Sequence, residues 1–340
     1  MNPKSSKAMS SAAVVGLGRI GSEFDHDRPA GLHARTHLGA IVGTLAFGSI
    51  IGIDPCPERR DAAAKRWQAH AVTCLAEPTA VGAVDVLAIC TPAGLRLDAV
   101  AGFLKQGVRV LVIEKPLALT IAEAERIVSL AADAHVELRV NFHRRFDPGI
   151  RAARAALGGA VPRMVVMRYG KGLYNYASHH VDLLLDWFGD IDSVQAIGDE
   201  LEGDDPTLSF RCRLAAGFDA IVLGMHGLDY DQFEIDVFTP DRRLELVAGG
   251  VEKRLYQPVR ERFYAGYSHL GEPVAAAPAG QVSGFGELYA AIVAHLRDGV
   301  PLPGCTGVEA LAGLRVLDAA RRSAVLGGAV IELERSECRG

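Results

Sequence analysis

The sequence predicts an α/β domain built on a doubly wound parallel sheet, the Rossmann arrangement, followed by an α+β domain with a mostly antiparallel, open-faced sheet. Three observations carry this. The first half alternates short, nearly continuous apolar runs with helical patterns, as parallel strands covered on both faces do. A Gly-x-Gly-x-x-Gly turn follows the first of those runs. Beyond residue 145 the runs lengthen, and short turns join them as they join antiparallel strands. The chain has 340 residues, 49% hydrophobic and 23% charged, which suits about two domains with cores of their own.

Residues 12–17, 47–53, 84–90, 108–113 and 137–141 read as strands of the first domain, and 57–69, 96–106 and 121–134 as its helices. Thr120 and Glu123 have the spacing of a capping box, which opens the third helix. Asp147-Pro148 then reads as N-cap and first turn of a helix closed by Gly158-Gly159. Strand patterns follow over 163–169, 193–198, 207–214, 218–226, 232–238 and 243–248, with turns at 215–217 and 240–241. Two helices close the chain, near 286–297 and over 307–325, the second headed by Thr306 and Glu309. The expected division is a flexible terminus over 1–11, a dinucleotide-binding domain over 12–145, and a substrate-binding and oligomerisation domain over 146–340.

Composition excludes several functions. The formal net charge of −5 argues against nucleic acid or an anionic membrane as partner. No run reaches the roughly 18 apolar residues that a membrane span needs. Six cysteines include no C-x-x-C pair and read as free thiols of a reducing, cytoplasmic setting.

Gly16-Leu17-Gly18-Arg19-Ile20-Gly21 is the phosphate-binding turn. Its first glycine permits the turn, its second lets backbone approach a pyrophosphate, and its third lets helix pack on strand. The phosphates then meet a helix N-terminus, where free N–H groups and the helix dipole favour negative charge. An acidic residue ending the second strand should hold the ribose hydroxyls, and Asp54 fills that role. It lies further on than the usual spacing of about 20 residues, and the polar, turn-rich stretch 24–36 reads as an insertion that accounts for the excess. A carboxylate there repels a 2′-phosphate, so NAD is expected ahead of NADP.

Thr91-Pro92 after the third strand and Glu114-Lys115-Pro116 after the fourth fall where parallel sheets bind ligands. In this order the glycine turn and these two motifs resemble the Gfo/Idh/MocA family, the glucose–fructose oxidoreductase and inositol dehydrogenase group. Residues 141–148 (Asn-Phe-His-Arg-Arg-Phe-Asp-Pro) resemble its domain-joining segment, and 172–182, from Gly172 through His179-His180 to Asp182, its catalytic segment. The resemblance implies an NAD-dependent hydride transfer between nicotinamide and a secondary hydroxyl or ketone of a sugar, cyclic polyol or sugar nucleotide. It assigns His179 as general acid/base and Lys115 as the cation that orients the substrate oxygen, chemistry that an imidazole and an ammonium suit.

The expected cofactor contacts are Gly16, Gly18, Arg19, Ile20, Gly21, Asp54, Thr91, Pro92, Glu114 and Lys115. The expected substrate contacts are Lys115, Arg145, Asn175 and His179. Two positions depart from the family pattern. Asn175 stands where some members carry an aspartate, and Arg96 where a histidine often follows the Thr-Pro turn. His179, Asp182 and Asp186, at i, i+3 and i+7 of one helix face, and His180 beside them could suggest a metal site, but without a zinc-type motif no metal is expected there. A reductase of a non-sugar carbonyl or imine, or a silent NAD-binding regulator, are the other functions compatible with the motifs; retention of Lys115 and His179 favours an enzyme. An open sheet face needs a partner, so a homodimer or homotetramer through the C-terminal sheet is expected.

Overall fold

The computed structural model describes residues 10–29, 33–70, 72–77, 82–198, 202–277 and 283–334. In chain order the first elements are β1 (Ser10–Val15), α1 (His37–Thr44), β2 (Phe47–Ile53), α2 (Pro57–Trp67), β3 (Thr73–Leu75), β4 (Val86–Ile89), α3 (Arg96–Phe103), β5 (Val110–Ile113), α4 (Ile121–Asp133) and β6 (Glu137–Val140). Then come α5 (Pro148–Ala156), β7 (Met164–Tyr169), α6 (Ser178–Phe188), β8 (Ile191–Ile197), β9 (Ser209–Leu214), β10 (Asp219–Gly224), β11 (Phe233–Phe238), β12 (Arg243–Val247) and β13 (Glu252–Tyr256). The last are β14 (Pro258–Arg260), β15 (Ser268–Leu270), β16 (Val274–Ala275), α7 (Phe285–Asp298), β17 (Cys305–Thr306), α8 (Gly307–Val325) and β18 (Ile331–Glu332).

The chain divides into two compact units, Met1–Phe146 with Ser283–Val308, and Asp147–Val282 with Glu309–Gly340. The expected boundary beside Arg145 therefore lies one residue early. The larger difference is that residues 283–308, expected in the second domain, return to the first. There β17 pairs antiparallel with β6, and the buried face of α7 (Phe285, Leu288, Tyr289, Ile292) joins the core beside α1. The chain's own order conceals this, because the amphipathic period of α7 reports that one face is buried and not against what.

In the first unit the sheet runs β17-β6-β5-β4-β1-β2-β3, parallel except for β17. Every residue of β4 and β5 is buried, as strands covered on both faces require. The order reverses between β1 and β4, the switch point at which such sheets bind ligands beyond their carboxyl ends. The capping box forms: Thr120 accepts from the Glu123 N–H, and the Glu123 side chain returns to the Thr120 N–H. Of the stretch expected to be flexible, Ser10 and Ser11 are instead the start of β1; residues 1–9, like Cys338, lie outside the described residues.

The second unit carries a nine-stranded sheet, β16-β13-β12-β11-β7-β10-β9-β8-β18, in which only β7 and β10 are parallel neighbours. Alternation sorts its faces. Val165, Met167, Tyr169, Phe210, Cys212, Ile235 and Leu244 pack with Leu184 of α6 and Leu317 and Ala320 of α8. The opposite face carries Arg168, Glu234, Asp236, Arg243 and Glu245, linked by ion pairs. β13 to β16 have no counterpart in the sequence pattern, because they are only two to five residues long and lack an apolar alternation.

Candidate dinucleotide and catalytic sites

The glycine turn leaves β1 at its carboxyl end. Gly16, at φ +91°, donates its N–H to Ile53 O at 2.7 Å, and a Cβ there would lie 3.0 to 3.1 Å from the Cys90 carbonyl and the Thr91 nitrogen. At Gly21 a Cβ would fall 1.9 Å from Gly16 O, so the two ends of the turn touch. Gly18 differs: the nearest atom to its Cβ position is the Arg59 guanidinium carbon at 3.8 Å, which leaves room for a phosphate against the backbone. Arg19 is exposed and Ile20 packs on the core.

The helix expected to open on these glycines is interrupted. Ser22 and Glu23 donate to Gly18 O, and the chain then leaves in a polar excursion before α1 begins. His37 and Leu38 resume the ladder by donating to Ile20 O and Gly21 O at 3.1 and 3.0 Å. The inserted stretch, of which residues 30–32 lie outside the described residues, therefore leaves the first helix after Glu23 and rejoins it at His37. Buried Asp25 ties it back, accepting from the Arg35 N–H and from Thr36 Oγ1, while Thr36 caps α1.

Asp54 sits just past β2, 3% exposed, with Oδ2 accepting the Leu17 N–H at 2.8 Å and Oδ1 the Cys56 N–H at 2.9 Å. Its carboxylate is thereby fastened to the glycine turn, and Arg59 Nη1 stands 3.8 Å away. Thr91, beyond β4, has a buried Oγ1 with no hydrogen-bond partner among the described residues. A buried hydroxyl in that condition beside Gly16 fits a ligand supplying the missing bond. Pro92 next to it is exposed.

Glu114 takes a position that the motif alone did not reveal. Its side chain is buried, Oε1 meeting His37 Nε2 at 2.9 Å and accepting from Asn141 Nδ2 at 2.5 Å. Burial pushes its carboxyl up, but the His37 hydrogen bond and charge, with Asn141 and Arg96, outweigh this and hold it below the ordinary carboxylate range. Lys115, half-buried, follows it at the carboxyl edge of the sheet. Arg145 is buried in the short helix His143–Phe146 of the same unit.

In the second unit Leu173–Ala177 is a single π-helical turn leading directly into α6. Such turns often occur where function re-aims a side chain. Asn175 is exposed on this turn, and His179 is 5% exposed in the first turn of α6. Asp205 braces the turn by accepting the Tyr174 N–H at 2.7 Å and the Asn175 N–H at 3.0 Å. His180 faces the other way: its Nε2 meets Glu234 O at 3.2 Å and its ring packs on Phe233. No local spacing could have found His37 or Asp205, whose partners lie 77 and about 30 residues away.

A glycine turn, an anchored acidic residue and a strand-end lysine at one sheet edge form the arrangement of a dinucleotide-binding Rossmann domain. Residues 11–142 match the model of the Gfo/Idh/MocA oxidoreductase family, NAD-binding Rossmann fold. Among curated relatives, inositol 2-dehydrogenase of Renibacterium salmoninarum is 32% identical over 156 residues, covering 46% of this chain and 43% of the relative. That of Rhizobium meliloti is 27% identical over 144 residues, 42% of this chain and 39% of the relative. The match thus spans about two-fifths of the length of these relatives. Among solved structures, the WlbA dehydrogenase from Bordetella pertussis in complex with NADH and UDP-GlcNAcA aligns over 96% of this chain and 98% of its own, with TM-score 0.73 and 21% identity. An oxidoreductase from Agrobacterium radiobacter in complex with NAD+, L-tartaric acid and magnesium aligns over 95% and 98%, with TM-score 0.72 and 17% identity. These two show a shared fold.

Proposed function

We propose that the protein is an NAD(H)-dependent dehydrogenase or reductase acting on a secondary hydroxyl or ketone of a sugar, cyclic polyol or sugar nucleotide. The observation that carries this is the carboxyl edge of the first sheet, where Gly18 lies open, Thr91 Oγ1 is buried without a partner, and Lys115 follows β5. Gly16, Gly18, Arg19, Ile20, Gly21, Asp54, Thr91, Pro92 and the Glu114–Lys115 pair would hold the cofactor, which supplies a hydride acceptor when bound. The names of the relatives, inositol dehydrogenases and a dehydrogenase solved with a nucleotide sugar, support the substrate class.

In the oxidative direction the substrate carbon gives up a hydride and its hydroxyl gives up a proton. His179 is the base that takes the proton, and returns it in the reverse direction. Lys115 holds the substrate oxygen and stabilises the negative charge that grows on it. Arg145 and Asn175 are assigned to substrate; Asn175 hydrogen-bonds and does not titrate, so the proton relay passes through His179. The outward face of the second sheet, with Val166, Ile221 and Phe238 half-exposed between its ion pairs, is assigned to a second copy of the chain. The reducing, cytoplasmic setting is supported by free Cys56, Cys74, Cys90, Cys212 and Cys305.

The test is NAD+ reduction scanned across inositols, sugars and nucleotide sugars, with NADH and NADPH titrated by fluorescence. Turnover with one polyol or sugar class, lost by about 100-fold or more in Lys115→Ala and His179→Ala, is expected. Full activity in both variants overturns the assigned roles. Tighter binding of NADPH overturns the assignment of Asp54.

A further inference from the structure

Lys115 belongs to a short turn whose backbone is gripped from two sides. On one side stands the cluster of His37, Glu114, Asn141 and Tyr289. His37 is fully buried between Glu114 Oε1, 2.9 Å from Nε2, and Tyr289 Oη, 2.7 Å from Nδ1. Each ring nitrogen thus has a hydrogen-bonding partner, a carboxylate on one side and a phenol hydroxyl on the other. Phe285 closes over the imidazole edge-on at 5.0 Å. His37 and Asn141 thus meet on the carboxylate that precedes Lys115, and α7 backs the imidazole through Phe285 and Tyr289.

On the other side lies Arg96, 4% exposed. Its Nη1 donates to the carbonyl oxygens of Glu114 and Pro116, its Nη2 lies 3.4 Å from that of Lys115, and its Nε donates to Thr91 O at 3.1 Å. A planar guanidinium can serve several carbonyls from one fixed plane, which neither a histidine nor a lysine can do. One side chain therefore ties the Thr91 turn to the Lys115 turn.

We infer that Arg96 and His37 are positioning residues for Lys115, Arg96 by clamping the carbonyls of residues 114–116 and His37 by fixing the Glu114 carboxylate. The role assigned to Lys115 rests on the function proposed above; the clamp does not. Groups that orient a reacting side chain are worth about 10- to 100-fold in activity, because displacements near 1 Å matter at the reacting centre. Arg96→Met and His37→Gln remove the clamp from each side, and Arg96→Lys restores charge without the fork.

The full-length protein, reductively methylated with 13C-formaldehyde, reports Lys115 by NMR with no substrate present, its resonance identified by Lys115→Arg. The expected result is that the resonance moves toward that of Lys105 in Arg96→Met and His37→Gln, and that Arg96→Lys fails to restore it. With the best substrate found, kcat falls about 10- to 100-fold. A Lys115 resonance unchanged in all three variants overturns the inference, whatever their melting temperatures, and marks the cluster as core. If Arg96→Met does not fold, Arg96→Lys and His37→Gln decide. Absence of turnover with every substrate would defeat the proposed function and leave the resonance test standing.

Discussion

His143 shows how one burial changes what a residue can do. It stacks on Phe285 with ring centroids 5.8 Å apart, and burial, reinforced by the Arg144 charge, pushes its imidazole down to about 4. An unfolded histidine titrates near ~6.5, so between these values the unfolded chain binds more protons than the folded one. Stability contributed by the neutral imidazole is full above pH 6.5 and is lost as pH falls toward 4. We expect the urea midpoint of the protein to drop between pH 7 and pH 5, and to drop less in His143→Asn. Equal drops in both would show that other groups control the transition. Glu114 carries the same sign at lower pH: its depressed carboxyl stabilises the fold above the ordinary glutamate value and ceases to do so as pH falls through its folded value.

The π-turn and α6 form the element whose geometry decides where Asn175 and His179 sit. Gly172, at φ +93°, opens the turn, and its Cβ position lies 2.2 Å from Asp205 Oδ2, so only glycine admits the carboxylate. Leu173 N–H and Gly172 N–H donate to Pro206 O and Thr207 Oγ1, so the loop over 205–207 caps the start of the turn. Charge-assisted bonds of this kind contribute about 1.5–3 kcal/mol where they are buried, and Asp205 is only partly so. Asp205→Ala should therefore speed amide exchange at Tyr174 and Asn175 and lower turnover while leaving NADH binding intact. Unchanged exchange at those two amides would remove Asp205 from any role in shaping the site.

At the scale of the molecule, each unit has its own core and its own sheet, and among the described residues no helix covers the ion-paired face of the second sheet. Asp236 is 2% exposed there, accepting from Arg168 and Arg243 on neighbouring strands. Ion pairs already satisfied within one copy can be covered by another without leaving bare charge. Light scattering at micromolar concentration should report a dimer or tetramer, and Ile221→Arg should shift it toward the monomer. A monomeric wild-type protein would contradict the assignment of this face.

Much of this was legible in the sequence because it depends on near neighbours. Period-two and period-3.6 patterns, the capping box of Thr120 and Glu123, and glycines with no room for a Cβ are written in adjacent residues, so β2 and α8 are found at their predicted limits. The motif order likewise placed Asp54, Thr91 and Lys115 at strand ends. The tertiary structure alone decided where buried side chains spend their hydrogen bonds. It turned Glu114 inward onto His37, set Arg96 across the Lys115 turn, looped the insertion out of the first helix, and returned residues 283–308 to the first unit. Desolvated polar groups must find partners wherever packing brings them, and those partners lie far away in the chain. The sequence by itself determined the fold class and the candidate chemistry; only the folded arrangement determined what holds that chemistry in place.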